Sequence, residues 1–478
     1  MFVGREQELA TLHGVLDGIL TGSAASQPGR CILMRGRRRI GKSMLAEEFT
    51  RRASVPTLFY TASGDTPEVE LSQLLEEVAS STLPHRAAFT ETTPATWHAA
   101  LQLLVDAIPD DIPSVVIFDE VPYLMEQVPA FEGHLQRVWD RFLSRKPVLL
   151  LLIGSDLSMM EALNSYERPF YQRGSEMIVG PLNPAEVGEM LGLDAAAAFD
   201  AVSITGGLPL VCSEWPRGLG VWGYLAQALE DPLSALLVSG ERAMAAEFPT
   251  AAQARDVFTA IGHGERTYSN IARAAGGITH ASLSRSLEVL GKKRLVVSEL
   301  PISVRPSKER RYRIADPYLR FWLSFLRPHM DLIERRRGDL LLTRVKESWT
   351  SWRGNAIEPL IRDALWRLLP DGQLPISPSA IGAYWNRGNT VEVDIVGADR
   401  APIARELLFL GSIKWREKAP FDARDLAALQ RHRVALTDSP VPLIAVSHSG
   451  VTAVGADASY GPEDLIAAWT RTRRSLTA

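Results

Sequence analysis

At 478 residues and 46% hydrophobic content the chain has length for several cores, and domains of ~100–200 residues make three or so the expectation. Its 52 lysines and arginines stand against 56 acidic residues, and a net charge of −4 excludes non-specific coating of nucleic acid by the whole molecule while leaving room for a local basic surface. Only Cys31 and Cys212 are present, with no Cys-x-x-Cys or Cys/His cluster, so no zinc or disulfide framework is offered and two buried, reduced thiols are expected. The start MFVGREQELA lacks a basic-then-apolar leader, and the longest apolar run, PVLLLLIG, is far below the ~20 residues of a membrane span, so a cytoplasmic protein is expected.

The first strong signal is RCILMRGRRRIGKSMLAEEF: an apolar run from Cys31 to Met34, then Gly36, four residues, Gly41-Lys42-Ser43 and a helical apolar pattern. This is GxxxxGKS between a strand and a helix. Its glycines let backbone amides turn inward around phosphates, and the helix starting near Lys42 adds its positive end. Lys42 reaches the outer phosphates, and the Ser43 hydroxyl can ligate magnesium.

SVVIFDEVPYL supplies a second apolar strand, with Asp119 at its tip and Glu120 beside it. Asp119 suits holding magnesium through water, and Glu120 suits polarising the attacking water, so hydrolysis is expected as well as binding. After the helix-like FEGHLQRVWDRFLSR another apolar strand, VLLLLIG, ends at Ser155-Asp156, where a polar group could sense a γ-phosphate. Short buried strands separated by amphipathic helices indicate an α/β fold, a parallel sheet with helices on both faces and its site at the carboxyl ends of the strands.

FVGREQEL, GRRRIGKS, VVIFDE, LLIGSD, RGSEMIVGPL and GGLPL, in that order over residues 1 to 240, resemble the archaeal-type AAA+ ATPases related to the STAND switch proteins. The resemblance implies that ATP and Mg2+ are the ligands, that Val3 and Gly4 lie near the adenine, that Ser155 is a sensor, and that Pro209 contacts nucleotide from a helical lid. Arg173 stands where related ATPases often place an arginine finger facing a neighbouring subunit, which would require an ATP-dependent oligomer. A solvated loop arginine is the alternative.

Residues 252 to 326 change character. AQARDVFTAIG, TYSNIARAAGG and HASLSRSLEVLGKKRL read as three short helices with a Gly276-Gly277 turn before the third, and VVSEL and RRYRIAD read as two strands, a winged helix-turn-helix pattern. Between Lys292 and Arg313 eight basic residues face two acids. On DNA, Thr279, His280, Ser282 and Arg285 would face the groove while Arg305, Lys308, Arg310 and Arg311 on the wing met phosphate. The alternative is an internal lid or protein contact. At helical spacing Tyr318, Phe321, Trp322 and Phe325 read as core.

The tail runs helix (WRGNAIEPLIRDALWRL, with Glu358), strands (IGAYWNR, VEVDIVGAD, ARELLFLGSIKW), helix (ARDLAALQRH) and strand (PLIAVS). This order resembles the DUF234 domain fused to such ATPases, which looks like a diverged PD-(D/E)xK nuclease fold. The active pattern puts a strand acid and E-x-K on one face because side chains alternate with period two. Asp394, Lys414 and the helix acid Glu358 match, whereas Ser412 stands where a carboxylate belongs and is a weak magnesium ligand. Glu406 shares the parity of Lys414 but would stand ~26 Å away along a strand. Glu392 has the parity of Asp394, and a solvent-facing glutamate on an edge strand is the commoner reading.

The expectation is an ATPase core over 1–180, a helical lid over 181–248, a winged helix over 249–328 and a restriction-nuclease-like α/β domain over 329–478. The expected function is an ATP-driven switch on DNA whose tail has lost cleavage and keeps polynucleotide or protein binding, with a protein partner as one expectation. The alternatives are an ATP-regulated nuclease and a protein-interaction switch without nucleic acid.

Overall fold

The computed structural model describes residues 2–21, 27–248, 252–368 and 377–475, so the expected junction at 249 lies outside the described residues. The chain forms two compact units, residues 1–181 and 182–478.

The first unit is built on five parallel strands in the order β2-β3-β4-β1-β5. They are β1 (Arg30–Arg35), β2 (Thr57–Thr61), β3 (Ser114–Asp119), β4 (Val148–Gly154) and β5 (Ser175–Ile178). Period-two alternation sends Cys31 and Leu33 into one apolar layer and Ile32 and Met34 into the other, so both faces of the sheet carry a core. That is why β3 and β4 read as unbroken apolar runs and are buried throughout. From β1 the chain crosses to the far edge at β2, then returns through β3 to β4 beside β1. The order reverses there, and a crevice opens beyond the carboxyl ends of these strands.

The second unit begins with helices between Pro184 and Glu247, followed by Ala252–Gly262, Tyr268–Ala274 and His280–Lys292. Gly276 and Gly277 take positive φ (87° and 72°) in the turn before the third of these, and the Thr279 hydroxyl caps it by accepting from the Ser282 amide. An antiparallel ribbon follows, β6 (Val296–Glu299) with β7 (Arg311–Ile314). Tyr318, Phe321, Trp322 and Phe325 are buried core side chains.

The tail is the long helix Gly338–Leu368, which runs through Pro359, and a mixed sheet in the order β12-β11-β10-β9-β8. Its strands are β8 (Ala380–Trp385), β9 (Glu392–Ala398), β10 (Leu407–Lys414), β11 (Leu443–Ser447) and β12 (Ala458–Tyr460). The first three are antiparallel, and β10, β11 and β12 are parallel, with helices Ala423–Leu436 and Pro462–Ser475. Two expectations change. Strand β9 lies inside the sheet between β8 and β10, so Glu392 is not on an edge strand, and Glu406 precedes β10 rather than lying within it.

Candidate functional site

At the end of β1 a Cβ on Gly36 would meet the Val179 carbonyl oxygen at 2.4 Å, so only glycine fits there. Gly41 caps the helix Lys42–Ala53 with φ 88°, a conformation that glycine adopts without penalty. The buried Lys42 ammonium turns back over the loop, donating to the carbonyl oxygens of Gly36 (2.9 Å) and Arg37 (3.1 Å). Burial pushes it below its ordinary proton affinity, against the opposing pull of the Glu120 and Asp119 carboxylates.

Ser43 Oγ donates to Asp119 Oδ2 at 2.5 Å, joining the helix start to the tip of β3. Burial raises the Asp119 carboxyl above its usual range, with the Ser43 hydrogen bond opposing. Glu120 sits in the left-handed region (φ 52°), its amide donates to Asp119 Oδ1 at 2.9 Å, and its own Oε2 accepts from Ser155 Oγ at 2.9 Å. Ser43, Asp119, Glu120 and Ser155 thus form one hydrogen-bonded chain across β1, β3 and β4.

These residues fit MgATP. Ser43 and Asp119 present adjacent oxygens of the kind a hard divalent cation takes, and Lys42 is a buried cation with three donors on a phosphate-type loop. Val3 and the left-handed Gly4 precede the helix Glu6–Leu20 in this unit, and Pro209 opens the helix Pro209–Ser213 in the other. Arg173 is engaged within its own unit: its Nε and Nη2 each donate to the Asp140 carboxylate at 2.8 Å, and Nη1 donates to Pro169 and Tyr171 carbonyls.

Around the ribbon, His280 stacks on Tyr268 with ring centroids 5.0 Å apart, while Arg285, Arg305 and Lys308 are exposed. Ser282 is half-buried, its amide and hydroxyl both held by the Thr279 side chain. Two of the expected phosphate contacts are engaged elsewhere. Arg311 donates to Glu392 Oε1 (2.6 Å) and Asn389 Oδ1 (2.8 Å) and lies over the Trp385 ring, and Arg310 donates to Ser298 Oγ at 2.7 Å. Trp385 in turn donates to the Glu309 carbonyl oxygen, so the ribbon is fastened to β8 and β9.

In the tail, Glu358, Asp394, Ser412 and Lys414 line one cavity of about 300 Å3. Asp394 Oδ2 accepts from Ser412 Oγ (3.0 Å) and from the Ile413 amide (2.7 Å), so the serine binds the carboxylate it was expected to accompany. Burial raises Glu358 to about 7, with Arg362 opposing. Among the described residues no group of three or more His, Cys, Asp or Glu side chains could hold a metal ion.

Two family models match the chain: the AAA domain over residues 25–162, and DUF234, described as archaea bacterial proteins of unknown function, over residues 322–426. The chain joins an AAA-type ATPase domain to a DUF234 domain. It is 27% identical over 434 residues to the uncharacterized protein MJECL04 of Methanocaldococcus jannaschii, covering 89% of this chain and 90% of that one. Among solved structures it is similar to the Walker-type ATPase PABY2304 of Pyrococcus abyssi (20% identity, TM-score 0.45, 67% of this chain and 96% of that one). It is also similar to the Aeropyrum pernix ORC2 protein (16% identity, TM-score 0.44, 72% and 95%). No helix among the described residues is long and apolar enough to cross a membrane.

Sequence reasoning missed Arg5 of the AAA-type unit. It lies inside FVGREQEL, is buried, and donates to the Ile40 carbonyl oxygen at 2.8 Å, tying the segment that holds Val3 and Gly4 to the phosphate loop. Around the tail cavity it missed Arg266 and Arg320, which reach Glu358 from the helical module and leave no local spacing to detect, and Arg362, which lies four residues from Glu358 on the same helix.

Proposed function

We propose that the protein is an ATP-driven molecular switch that works on DNA, with a core over 1–180, a lid over 181–248, a winged helix over 249–328 and a non-cleaving tail over 329–478. The observation that carries the ATPase part is the hydrogen-bonded chain Ser43–Asp119–Glu120–Ser155 at the carboxyl ends of β1, β3 and β4. Bound MgATP would supply the phosphoanhydride and the Lewis acid. Lys42 exchanges the carbonyls of Gly36 and Arg37 for phosphate oxygens, and the low polarity around it makes each charge-assisted hydrogen bond stronger than in water. Ser43 and Asp119 would hold the cation. Glu120 orients the attacking water, and Ser155 fixes the carboxylate that does so. Arg173 would have to leave Asp140 to act on a neighbouring subunit.

Magnesium-dependent ATP turnover is expected to fall at least a hundredfold in Lys42→Ala and in Glu120→Gln, with Glu120→Gln still binding ATP. Undiminished turnover in both variants would sink the ATPase mechanism. For DNA, Arg305 and Lys308 are exposed wing cations, as is Arg310 beside Ser298, and Thr279, His280, Ser282 and Arg285 are the residues that would face a groove. Arg305→Glu with Lys308→Glu should weaken DNA binding and reduce its salt slope by about two, since each phosphate contact contributes ~0.9. Unchanged affinity would move the reading to a protein-interaction switch, which the Arg311–Glu392 contact already favours. The tail is read as non-cleaving because Ser412 replaces a carboxylate and also binds Asp394. DNA cleavage abolished by Asp394→Ala would overturn that.

A further inference from the structure

The cavity beside Asp394 is lined by charged groups from both the helical module and the tail sheet, and it adjoins a second pocket of about 40 Å3 that shares Arg266, Glu358 and Asp394 with it. Most of the acids there already have a cation. Glu299 accepts from Arg313 at 2.7 Å, Glu392 from Arg311 at 2.6 Å, and Glu358 from Arg362 at 3.4 Å. Asp425 pairs with Arg416, and Asp394 is held by the Ser412 hydroxyl and the Ile413 amide.

The cations left over are different. The side chains of Arg266 in the loop before Tyr268–Ala274, Arg320 in the helix Pro317–Phe321 and Lys414 at the end of β10 make no hydrogen bond or close ion pair among the described residues. Arg266 and Arg320 also stand close enough to repel: burial first, and then the Arg266 guanidinium, push Arg320 down to about 10, with the Glu358 and Glu299 carboxylates opposing. Arg320 lines only the smaller pocket and Lys414 only the larger, and across the two together six cations (Arg266, Arg311, Arg313, Arg320, Arg362 and Lys414) stand against five carboxylates (Glu299, Glu358, Glu392, Asp394 and Asp425), so the joined pockets carry a small excess of positive charge. Such an arrangement is stabilised by an anion that accepts from planar guanidiniums and an ammonium together. A volume of about 300 Å3 is at the small end of ligand sites.

We propose that Arg266, Arg320 and Lys414 form a metal-independent binding site for a phosphate group, carried either by a free nucleotide or by a nucleic-acid strand. The site is composite, because Arg266 and Arg320 come from the helical module and Lys414 from the tail sheet. It therefore links ligand binding to the same junction that Arg311 and Glu392 hold. It stands whether or not the chain hydrolyses ATP.

The test uses the full chain and the variants Arg266→Gln, Lys414→Gln and Arg266→Lys, with inorganic phosphate and ADP as one set of probes and a short fluorescent oligonucleotide in magnesium-free buffer as the other. Binding of at least one set should weaken about tenfold in each glutamine variant, the equivalent of one lost charge-assisted contact, and Arg266→Lys should recover part of it. Loss confined to phosphate and ADP assigns the site to a nucleotide, and loss confined to the oligonucleotide, with a shallower salt dependence, assigns it to a strand. If the variants retain wild-type circular dichroism and melting but bind all probes as wild type does, the proposal is overturned. Should Arg266→Gln unfold, Lys414→Gln alone decides by the same criteria. ATP turnover in the same preparations reports separately on the phosphate-loop mechanism.

Discussion

Arg353 and Asp200 meet at 2.7 Å inside the second unit, with 1% and 9% of their side chains exposed. The guanidinium, from the long helix Gly338–Leu368, also donates to Glu417 at 3.0 Å and to the Trp415 carbonyl oxygen at 3.1 Å, just past the end of β10. Asp200 sits on the helix Ala195–Thr205, beside Phe199, whose ring packs in the tail core 5.5 Å from Trp415 and 5.9 Å from Trp469.

Removing one partner of this pair should cost far more than replacing both. Arg353→Met leaves a buried carboxylate without its cation and should lower stability by about 3 kcal/mol, whereas Arg353→Met with Asp200→Leu should recover most of that. Urea unfolding of the two variants checks it. Equal losses in both would mean that packing, not charge, dominates the site.

Glu358 gives a pH dependence with a definite sign. Burial holds its carboxyl at about 7 in the folded chain, with Asp394 raising it further and Arg362, Arg266 and Arg320 opposing, against the ordinary 4.5 of a glutamate. Between those values the folded state binds the proton more tightly than the unfolded state does, so the contribution to stability is lost as pH rises from about 4.5 to 7. Glu358→Gln should gain stability relative to wild type between pH 5 and pH 8. Parallel unfolding profiles for the two proteins would contradict the burial argument.

Ser155 should act through Glu120 rather than on affinity. Ser155→Ala frees the Glu120 carboxylate from its 2.9 Å hydrogen bond, and turnover should fall about tenfold while ATP affinity stays within twofold. An equal loss in binding would place Ser155 on the nucleotide itself.

The ribbon contact can be tested by charge exchange. Arg311→Glu sets two carboxylates against each other at the Glu392 position, and faster hydrogen exchange across β8 and β9 is expected, with Glu392→Arg in the same chain restoring protection. No change in exchange on Arg311→Glu would show that the Trp385 hydrogen bond to Glu309 holds the ribbon without the ion pair.

The parallel sheet was legible because its signals are local: an apolar run, a glycine loop and an acid at a strand tip each lie within a few residues, and Lys42, Ser43 and Asp119 gather where their motifs put them. The three helices before the ribbon were legible for the same reason, through Gly276, Gly277 and the Thr279 cap. Charge pairing was not. Arg311 and Glu392 are 81 residues apart and Arg353 and Asp200 are 153 apart, so composition could locate a basic stretch but not say which of its cations already had a carboxylate. Strand position failed likewise: β9 looks like an edge by its Glu392, yet β8 and β10 pair on either side of it.

The position of Phe199 bears on how the chain is made. Its ring completes an apolar core whose other members lie between Ile357 and Trp469. A ribosome adding ~5–20 residues per second needs roughly 10 to 60 seconds to travel from Phe199 to Trp469. Until Arg353 is made, a little over halfway along that stretch, the Asp200 carboxylate lacks its cation, and until Trp415 and Trp469 follow the Phe199 ring lacks its tail partners; a polypeptide that stops short of Arg353 lacks both.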